Sequence, residues 1–523
     1  MWIAAINHLH NGSLCLYHHN KLIFYIEEER LSRNKYDGFV YLAINKIKEY
    51  TNHIDQLAIC GYNNDEYKSL TYSNCGMSLY ASLFKKHNLI DKNTRVKEYY
   101  SQHHLTHAAL AFYNSGFENA AVIVVDGGGS EVSVKGPDHI VTCYEKETIF
   151  AASYPSRFDT RFKSLYSNEI EFSVNTTSCN SKLSVGNVFE HVNMLIGFDA
   201  LDSGKTMGLS TYGKTNDQIS EYDFFNRDVY RNDFSNIPKE DIAYKAQKTT
   251  EQRLSHLIKM AKRANKNIIL TGGYALNCVS NYNIIKNNKD INLYIEPISH
   301  DGGTCLGAAQ LMYREATESK EVNKIKNIYY GFNYDIPNID NLKDTSYDEI
   351  ANHISNKKIV AIYQGRSEAG PRALGNRSIL YDPRDINGRD TINKVKNREW
   401  FRPFAGSILQ EHFSDWFNCY SLDESPFMMY AVDVKSSKKD IIPAILHIDN
   451  TCRVQTVKKE NNNHYYNLIN KFYELTGVPI LFNTSFNLAG EPLVETVDDA
   501  LKTFYNSEID FLYFPEHQKV VAK

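Results

Sequence analysis

The sequence predicts an α/β protein with two domains, of which the first is built from two related lobes. Residues 2–30 and 120–155 begin alike, with an apolar strand, a turn of small polar residues, a returning strand and a third strand. The repeat indicates two lobes that face each other across a cleft, although two ordinary β-meanders would give the same periodicity. Elsewhere strands alternate with helical patterns, and a length of 523 residues allows roughly two to four domains.

The other elements of the first domain follow from hydrophobic periodicity. Residues 38–53 and 242–266 have the helical spacing of apolar side chains. The second of these helices leads into an apolar strand at residues 267–273, which ends in a glycine pair. This order of helix, strand and small-residue turn is typical of a layered α/β domain. Residues 324–342 have no clear periodicity, and we place the end of a first domain, 1–335, inside this stretch.

A second domain is predicted over residues 336–523. It contains the apolar strands "KIVAIYQG" and "VPILFNTSF", the alternating strand "RVQTV" and the helix "YYNLINKFYELTG", and the pattern ends near Pro515. A charged segment separates the first of these strands from the others. This mixture of short strands with a helix predicts a compact α/β domain.

The composition excludes several classes of protein. The 58 basic and 62 acidic side chains give a net charge of -4, so no global electrostatic argument favours nucleic acid or an anionic membrane. No apolar run reaches the roughly 20 residues that a membrane span needs, and the N-terminal residues lack the pattern of a signal peptide. We therefore expect a cytoplasmic protein. The 9 cysteines include no C-x-x-C pair, which argues against a disulfide framework or a zinc ribbon.

A histidine pair is the first candidate for chemistry. His103 and His107 are four residues apart in a segment with a helical pattern, so both imidazoles project from one face, whereas His104 points elsewhere. This spacing suits two ligands of a metal ion. Two oxygen ligands would complete the site, and Asp126 in "VVDGGGS" and Asp301 in "SHDGGTCLG" both lie in acidic turns. Surface or capped histidines are the alternative interpretation of the pair.

Glycine-rich strand ends indicate a nucleotide phosphate site. Glycines follow Asp126 and Asp301, and a third turn contains Gly272 and Gly273. Such turns let a phosphate approach the backbone and accept hydrogen bonds from its N–H groups. The third turn also lies where a helix would begin, and a helix N-terminus favours an anion. The sequence has no G-x-x-x-x-G-K-[ST] segment, so a P-loop has no support.

Residues 365–402 reverse the sign of the overall charge. The segment has nine basic and five acidic side chains, a local net charge of +4 in a chain of net charge -4. Its charges alternate with glycine and proline, unlike those of an amphipathic surface helix, and arginines on rigid turns suit bidentate recognition of phosphate or carboxylate. A solvated face is the usual interpretation of a charge run. The basic residues are Arg366, Arg372, Arg377, Arg384, Arg389, Lys394, Lys396, Arg398 and Arg402.

Taken together, the motifs resemble those of the ATP-dependent O-carbamoyltransferases, the family that modifies nodulation factors, aminoglycosides, cephalosporins and ansamycins. The matching segments follow the family's order from about residue 3 to residue 505, so the resemblance covers nearly the whole chain. They are "HHLTHAALAF", "VVDGGGS", "GKTMGLSTYG", "GGYALN", "SHDGGTCLGAA", "QGRSEAGPRALGNRSILYDPR", "NKVKNREWFRPFAGSIL", "TCRVQTV" and "ILFNTSFNLAGEPLVETVDDAL".

The resemblance implies a fold and a set of site residues. The N-terminal domain would be actin-like, of the ASKHA type, and similar to the subunit that transfers threonylcarbamoyl to tRNA, and the C-terminal domain would have a YrdC-like fold. The metal would be held by His103, His107, Asp126 and Asp301, and the catalytic base would be His10. The nucleotide would contact Gly128, Gly129, Lys205, Gly208, Gly272, Gly273 and Asn277. Carbamoyl phosphate would contact Arg372, Lys396, Arg402, Arg453 and Ser485.

The resemblance also implies a reaction with two sites. Carbamoyl phosphate would be cleaved in the second domain to carbamate and phosphate, and carbamate, which is unstable in water, would pass through an enclosed channel to the first domain. There it would attack the α-phosphate of ATP to give carbamoyl adenylate, from which an acceptor hydroxyl would take the carbamoyl group. ATP would be a co-substrate, and the divalent metal would be Fe(II), with Mn(II), Zn(II) and Mg(II) as alternatives.

The partners implied are carbamoyl phosphate and a hydroxyl-bearing acceptor, which would be a small molecule, a sugar or a nucleoside. We expect no membrane partner, and nucleic acid only if the acceptor is a modified base. The protein would be a monomer or a homodimer. The first hairpin reads "HLHNGS", so His8 stays an alternative to His10 as the base.

Two competing functions are a tRNA threonylcarbamoyl-adenosine-type modifying enzyme and a non-catalytic nucleotide-binding module. The first predicts a basic groove, whereas this chain is mildly acidic and has its own second domain. A hydrogenase-maturation carbamoyltransferase would need paired C-x-x-C fingers, which the sequence lacks. A zinc protease would need the glutamate of H-E-x-x-H, which the histidine pair also lacks.

Overall fold

The computed structural model describes residues 1–8, 10–61, 78–136 and 138–523 and has the mixed α/β fold that the sequence predicts. The described chain divides into two compact units. The first unit comprises Met1–Ser32, Tyr36–Leu276 and Asp290–Ile325, and the second unit comprises Arg33–Lys35, Asn277–Lys289 and Lys326–Lys523. The main change from one unit to the other falls at the start of the stretch that has no periodicity.

The first unit begins with a five-stranded sheet. Its strands are β1 (Trp2–Asn7), β2 (Ser13–His18), β3 (Lys21–Glu27), β4 (Gln56–Cys60) and β5 (Arg95–Glu98). They lie in the order β3-β2-β1-β4-β5, with β1 antiparallel to β2 and parallel to β4. Residues 3–6 of the central strand β1 are fully buried. Burial on both faces explains why this strand reads as a continuous apolar run.

A second sheet in the first unit repeats this arrangement. Its strands are β6 (Asn119–Val125), β7 (Glu131–Lys135), β8 (Ile140–Ser153), β9 (Arg157–Tyr166), β10 (Phe172–Val174), β11 (Thr177–Asn180), β12 (Asn267–Thr271) and β13 (Asn292–Ile295). The order is β10-β11-β9-β8-β6-β12-β13, and β6 is antiparallel to β8 and parallel to β12. The run β9-β8-β6-β12-β13 therefore has the strand order and directions of the first sheet, and the predicted pair of related lobes is confirmed.

The returning strand of the second lobe differs from the prediction. The sequence pattern places it directly after the D-G-G-G turn, at the position of β7. In the described residues β6 instead pairs with β8, and β7 pairs with β8 at the side of the sheet. Every residue of β7 is at least partly exposed, whereas residues 145–150 of β8 are buried. Only β8 therefore supplies the buried face that a central pairing needs.

Two helices connect the sheets of the first unit. The helices up to residue 317 are α1 (Glu28–Ser32), α2 (Leu42–Ile47), α3 (Leu79–Lys86), α4 (His103–Ser115), α5 (Val185–Leu195), α6 (Ser203–Leu209), α7 (Asp217–Ser220), α8 (Lys239–Lys262), α9 (Cys278–Asn287) and α10 (Thr304–Thr317). Helix α4 packs against β6, β8 and β12, whereas α10 packs against β1, β2 and β4, and the two helices contact each other. Helix α9 belongs to the second unit.

The predicted helices are present with changed bounds. The pattern at residues 242–266 forms α8, and the pattern at residues 38–53 forms only the six-residue helix α2. Helix α2 begins late because the carboxylate of Glu28 accepts hydrogen bonds from the N–H groups of Leu42 and Ala43, at 2.6 and 3.0 Å. The segment before it is irregular, and the Asp37 carbonyl accepts from the Gly12 N–H at 2.8 Å.

The second unit is built on a nine-stranded sheet. Its strands are β14 (Lys343–Asp344), β15 (Val360–Tyr363), β16 (Arg377–Tyr381), β17 (Ala405–Leu409), β18 (Ala431–Asp433), β19 (Thr451–Val457), β20 (Ile480–Ser485), β21 (Phe511–Phe514) and β22 (Lys519–Ala522). Their order is β14-β22-β21-β15-β16-β20-β17-β19-β18. Its helices are α9 together with α11 (Tyr347–Ser355), α12 (Gly388–Lys396), α13 (Phe413–Trp416), α14 (Asn463–Thr476) and α15 (Val497–Tyr505). The predicted strands β15, β19 and β20 and the predicted helix α14 are confirmed.

Short 3-10 turns complete the described elements. They are Ser210–Tyr212, Arg227–Arg231, Gly273–Leu276, Asp301–Gly303, Gln410–His412 and Lys439–Ile441. The cysteines in the described residues are free thiols, and Cys75 lies outside these residues. Of the helices that the structure describes, none has the length and apolar character needed to cross a membrane.

Candidate active site

The predicted histidine pair lies at the start of helix α4. His103 and His107 are one turn apart, both are buried, and their Nε2 atoms are 3.2 Å from each other. The N–H of His103 donates to the Ser130 hydroxyl at 2.8 Å, which ties the helix to the D-G-G-G turn. His104 lies on another face, where its Nδ1 shares a hydrogen bond of 2.7 Å with the Thr148 hydroxyl. The predicted directions of the three histidines are confirmed.

Two carboxylates meet the imidazoles. Asp126 follows β6 directly, and Asp301 opens the 3-10 turn before α10. The Oδ2 atom of Asp126 lies 3.0 Å from His103 Nε2 and 3.6 Å from His107 Nε2. The Oδ1 atom of Asp301 lies 3.6 Å from His103 Nε2 and 3.5 Å from His107 Nε2. The structure therefore brings the four predicted metal ligands together.

These four groups fit a divalent metal. Each residue offers one ligand atom, the four atoms lie within 4.8 Å of one another, and all four residues are buried. Two imidazole nitrogens and two carboxylates that converge in this way have the donor types and the number of a mononuclear site. A mixed nitrogen and oxygen set suits Fe(II), Mn(II) or Zn(II) better than Mg(II). The identity of the metal stays a prediction.

The turn that contains Gly272 and Gly273 positions Asp126. The N–H of Gly273 donates to Oδ1 of Asp126 at 2.9 Å, which leaves Oδ2 to face the histidines. Gly272 has a φ of +87°, and a Cβ atom there would lie 2.4 Å from the Val125 carbonyl oxygen. Only glycine meets both constraints. The turn thus orients a carboxylate of the cluster, and its contact with a nucleotide stays a prediction.

Contacts within the cluster shift the pKa values of His107, Asp126 and Asp301. Burial lowers the pKa of His107, but its hydrogen bonds to Asp126 and Asp301 outweigh this effect and raise that pKa to about 9. Burial raises the pKa of Asp126, but hydrogen bonds from His103 and His107 hold it well below its ordinary value. The pKa of Asp301 is lowered as well, since the nearby histidines outweigh burial and the charge of Asp126. A metal that binds here must displace the proton of His107.

Binding of Mn(II) is expected to tighten as the pH rises. Below the raised pKa of about 9, a proton on His107 competes with the metal. Release of one proton per metal makes the apparent affinity rise about tenfold per pH unit between about pH 7 and pH 9. Titrations that follow the electron paramagnetic resonance signal of free Mn(II) measure this slope. An affinity that stays constant over the same range would rule out His107 as a ligand.

His10 lies beside the cluster, whereas His8 lies in the core. The Nε2 atom of His10 is 3.4 Å from Oδ2 of Asp301, and 40% of its side chain is exposed. His8 is 5% exposed, its ring stacks on that of Tyr80 at 5.2 Å, and burial lowers its pKa to about 4. Of the two candidate bases, a dissolved acceptor can reach only His10.

Gly128 and Gly129 lie in the turn after β6. Gly128 is half-buried there, and the N–H of Gly129 donates to the Glu145 carbonyl at 3.0 Å. A Cβ atom on Gly129 would lie 2.7 Å from His104 Nε2, so the glycine also lets the turn pack on α4. Contact of either glycine with a nucleotide stays a prediction.

The other predicted nucleotide residues fall in different units. Lys205 forms an ion pair of 2.7 Å with Asp202 in the first unit, and Gly208 is buried in α6 of the same unit. Asn277 belongs to the second unit, where its side-chain oxygen caps α9 by accepting from the Ser280 N–H at 3.1 Å. The structure therefore groups Asn277 with the second unit, and the role of these residues toward a nucleotide stays a prediction.

Four arginines of the second unit repel one another. Burial and the charges of Arg453 and Arg402 lower the pKa of Arg372 to about 9. Burial and the charges of Arg402 and Arg453 lower the pKa of Arg398 to about 9 as well. Arg402 also lies 3.8 Å from the carboxylate of Glu399. All four side chains are half-buried. Like charges that lie close together destabilise each other, and an anion with several acceptor oxygens would offset this repulsion. We call these four residues the arginine cluster.

Lys396 and Ser485 adjoin the arginine cluster. The ammonium group of Lys396 donates to the carbonyl of Ser485, to its hydroxyl at 3.3 Å, and to the carbonyl and side-chain oxygens of Asn487 at 2.7 and 3.0 Å. Burial, followed by the charges of Arg398 and Arg402, lowers the pKa of Lys396 well below its ordinary value. The structure thus places the five residues predicted to bind carbamoyl phosphate in one region of the second unit.

Arg398 belongs to the arginine cluster but not to the predicted set. The signal is present in the sequence, since Arg398 lies two residues after Lys396 in the basic segment. Another arginine of this segment has a structural role, because Arg377 is fully buried and stacks on the Tyr363 ring at 3.6 Å. Spacing does not separate the two kinds of arginine, because both lie in the same basic segment.

Family sequence models match both units. The model described as "Carbamoyltransferase N-terminus" matches residues 47–222 and 219–310, and the model described as "Carbamoyltransferase C-terminus" matches residues 351–520. The four residues of the metal cluster fall within the N-terminal matches, and the four residues of the arginine cluster fall within the C-terminal match. His10 precedes the matched residues.

Two relatives align with nearly all of the chain. Nodulation protein NolNO of Sinorhizobium fredii is 30% identical over 563 residues, which cover 96% of this chain and 78% of the relative. The 3'-hydroxymethylcephem-O-carbamoyltransferase of Amycolatopsis lactamdurans is 23% identical over 535 residues, which cover 95% of both chains.

A solved structure is also similar to part of the chain. Full-length HypF in its phosphate- and nucleotide-bound form matches 60% of this chain and 55% of its own, at 15% identity and a TM-score of 0.36. Because this score is low, the two lobes are assigned from their strand orders and not from this similarity. The matches to both family models, with a 30% identical relative along nearly the whole chain, show that this protein is an enzyme of the carbamoyltransferase family.

Proposed function

We propose that the protein uses carbamoyl phosphate and ATP to carbamoylate a hydroxyl of a small-molecule, sugar or nucleoside acceptor. The observation that carries this proposal is the presence, in one chain, of a buried His/Asp cluster and a half-buried arginine cluster. The first suits a metal that acts on a polyphosphate, and the second suits a small phosphate ester. A module that only bound a nucleotide would need no second anion site.

Carbamoyl phosphate binds at the arginine cluster in this proposal. Its phosphate oxygens accept hydrogen bonds from guanidinium groups that otherwise repel one another. Lys396 is engaged with Ser485 and Asn487, so it holds their loop beside the arginines. Water breaks the bond between the carbamoyl group and the phosphate, and the products are carbamate and inorganic phosphate. The arginines stabilise the negative charge on the departing phosphate.

The His/Asp cluster serves the step that uses ATP. Its four residues would hold a divalent metal, which when bound would offset the negative charge of the polyphosphate. An oxygen of carbamate attacks the α-phosphate of ATP, the bond to the β-phosphate breaks, and carbamoyl adenylate and pyrophosphate form. Helix α4 fixes the two histidines, and the Gly273 N–H fixes Asp126.

His10 is the base of the transfer step. Its Nε2 faces Asp301 on a turn that solvent reaches. The acceptor hydroxyl gives its proton to Nε2 while its oxygen attacks the carbamoyl carbon. The bond between that carbon and the phosphate oxygen of AMP then breaks, and AMP leaves. The burial of His8, which lowers its pKa to about 4, supports His10 over His8 in this role.

Product analysis with a panel of hydroxyl acceptors tests the proposed function. With ATP, carbamoyl phosphate and a divalent metal, the protein is expected to release AMP, pyrophosphate and phosphate. One acceptor should gain the mass of one carbamoyl group. Formation of ADP in place of AMP would contradict the proposal. The proposal would also be contradicted if no acceptor led to AMP and Arg453→Ala behaved like the parent protein.

A further inference from the structure

The turn between β1 and β2 holds a second polar side chain beside the proposed base. Asn11, next to His10, has a φ of +60°, a left-handed conformation that asparagine and glycine tolerate. Its carbonyl accepts a hydrogen bond from the side-chain amide of Asn7 at 3.2 Å. On the other side, the N–H of Gly12 donates to the Asp37 carbonyl at 2.8 Å. Because the backbone is held on both sides of Asn11, its side chain has a defined direction.

The side chain of Asn11 bridges His10 and a buried carboxylate. Its Oδ1 lies 3.1 Å from Nδ1 of His10, and its Nδ2 lies 3.5 Å from Oε2 of Glu27. Glu27 is only 4% exposed. The NH2 of the Asn11 amide group donates to Glu27, and the oxygen of the same amide group faces His10.

Cationic and polar neighbours hold Glu27 in place. Its Oε1 lies 4.0 Å from the Arg30 guanidinium and 3.6 Å from His300 Nε2. Its backbone pairs with Ser13 in the first sheet, immediately after the turn. Glu27 is thus a fixed acceptor beneath the turn that carries His10.

We propose that Asn11 and Glu27 position His10 and set its tautomer. Because Oδ1 of Asn11 accepts, the proton of the neutral imidazole lies on Nδ1, and Nε2 keeps its lone pair on the side of Asp301. This arrangement leaves Nε2 free to take the proton of an acceptor hydroxyl. The inference rests on the proposed function, in which His10 is the base of the transfer step. Asn11 and Glu27 touch no reacting atom, so both are positioning residues.

Three variants separate the contact from the backbone of the turn. Asn11→Gly keeps the left-handed conformation but removes the acceptor oxygen. Asn11→Asp keeps an oxygen for Nδ1 of His10 but replaces the donor that faces Glu27 with a second carboxylate oxygen. Glu27→Gln keeps the shape of the side chain but lets the amide group of Asn11 turn over, because a glutamine amide both donates and accepts.

Two simple nucleophiles separate base catalysis from adenylate formation. Glycerol has hydroxyl groups that need a base, whereas hydroxylamine attacks an acyl adenylate without one. With glycerol, the kcat for AMP release is expected to fall about 10- to 100-fold in Asn11→Gly, and by less in Glu27→Gln and in Asn11→Asp, which keeps an oxygen for Nδ1 of His10. The KM for ATP and the rate with hydroxylamine should match those of the parent in all three proteins.

Nitrogen NMR of protein labelled in its histidines gives a readout that needs no acceptor. The signals of His10 are those that disappear in His10→Gln. At a pH where His10 is neutral, the proton is expected on Nδ1 in the parent and in Asn11→Asp. In Asn11→Gly the proton is expected to move to Nε2, because no acceptor faces Nδ1 and Oδ2 of Asp301 lies 3.4 Å from Nε2.

The outcomes distinguish this inference from the function on which it rests. If Asn11→Gly has the glycerol rate and the tautomer of the parent, the positioning role is overturned and the proposed function stands. If His10→Gln transfers to glycerol at the parent rate, His10 is not the base and the proposed function fails at that step. If Asn11→Gly loses the hydroxylamine rate as well, the turn supports adenylate formation, and the positioning role is again overturned.

Discussion

The His107→Ala protein is expected to lose its bound metal and to exchange pyrophosphate into ATP at least about 1000-fold more slowly than the parent. The imidazole of His107 lies 3.6 Å from the nearer oxygen of Asp126 and 3.5 Å from that of Asp301, so it stands between the two carboxylates. Without it, three ligands remain, and the carboxylates of Asp126 and Asp301 lose the imidazole that contacts both. Elemental analysis and the exchange of labelled pyrophosphate into ATP measure the two effects.

An exposed histidine of the same unit provides the matched control. His256 lies on α8 and is exposed to solvent, so His256→Ala removes an imidazole without touching the cluster. Its metal content and its exchange rate should equal those of the parent. If His107→Ala also keeps the full metal content, the four residues are not the metal ligands.

Arg453→Ala is expected to lower kcat/KM for carbamoyl phosphate about 100-fold, which corresponds to about 2 to 3 kcal/mol for charge-assisted hydrogen bonds to phosphate. Arg453 lies on β19 opposite Ala405, and its charge lowers the pKa of Arg372, so the two guanidinium groups are close neighbours. Arg453→Lys should retain part of the activity, since an ammonium group supplies the charge but not the paired N–H donors. Arg398→Ala should show a loss of similar size. Release of phosphate from carbamoyl phosphate measures all three.

Two controls isolate the arginine cluster. Lys394→Ala removes a cation from the same basic segment, but this side chain is 78% exposed on α12 and should not affect the reaction. Ammonium bicarbonate contains carbamate at equilibrium and so bypasses the cleavage of carbamoyl phosphate. With it, Arg453→Ala should exchange pyrophosphate into ATP at the parent rate. A parent-like kcat/KM for carbamoyl phosphate in Arg453→Ala would contradict the role of the cluster.

Local spacing predicted the histidine pair and the acidic turns, and the resemblance to the carbamoyltransferases joined the four residues into one ligand set. The interval of four between His103 and His107 fixes their common helix face, because α4 has the regular helical repeat. Asp126 and Asp301 were predictable as acidic residues in glycine-rich turns. Strand ends and helix faces are set by neighbours in sequence, so these features need no knowledge of distant contacts.

Features that depend on distant contacts were not predictable. Neither the pairing of β6 with β8 nor the grouping of α9 with the second unit follows from periodicity, because both depend on which buried faces meet. His8 and His10 are equivalent by spacing, and only burial separates them. Arg398 could not be told from structural arginines such as Arg377, because part of the repulsion that marks it comes from Arg453 and Arg372, which are far from it in sequence.

The most direct test of the account is whether exchange of labelled pyrophosphate into ATP depends on carbamoyl phosphate. The measurement needs no acceptor, because it reports the reversible formation of carbamoyl adenylate alone. The account predicts exchange when ATP, a divalent metal and carbamoyl phosphate are all present, and none when carbamoyl phosphate is omitted. Exchange that proceeds equally without carbamoyl phosphate, or that is absent when all three are present, would contradict it.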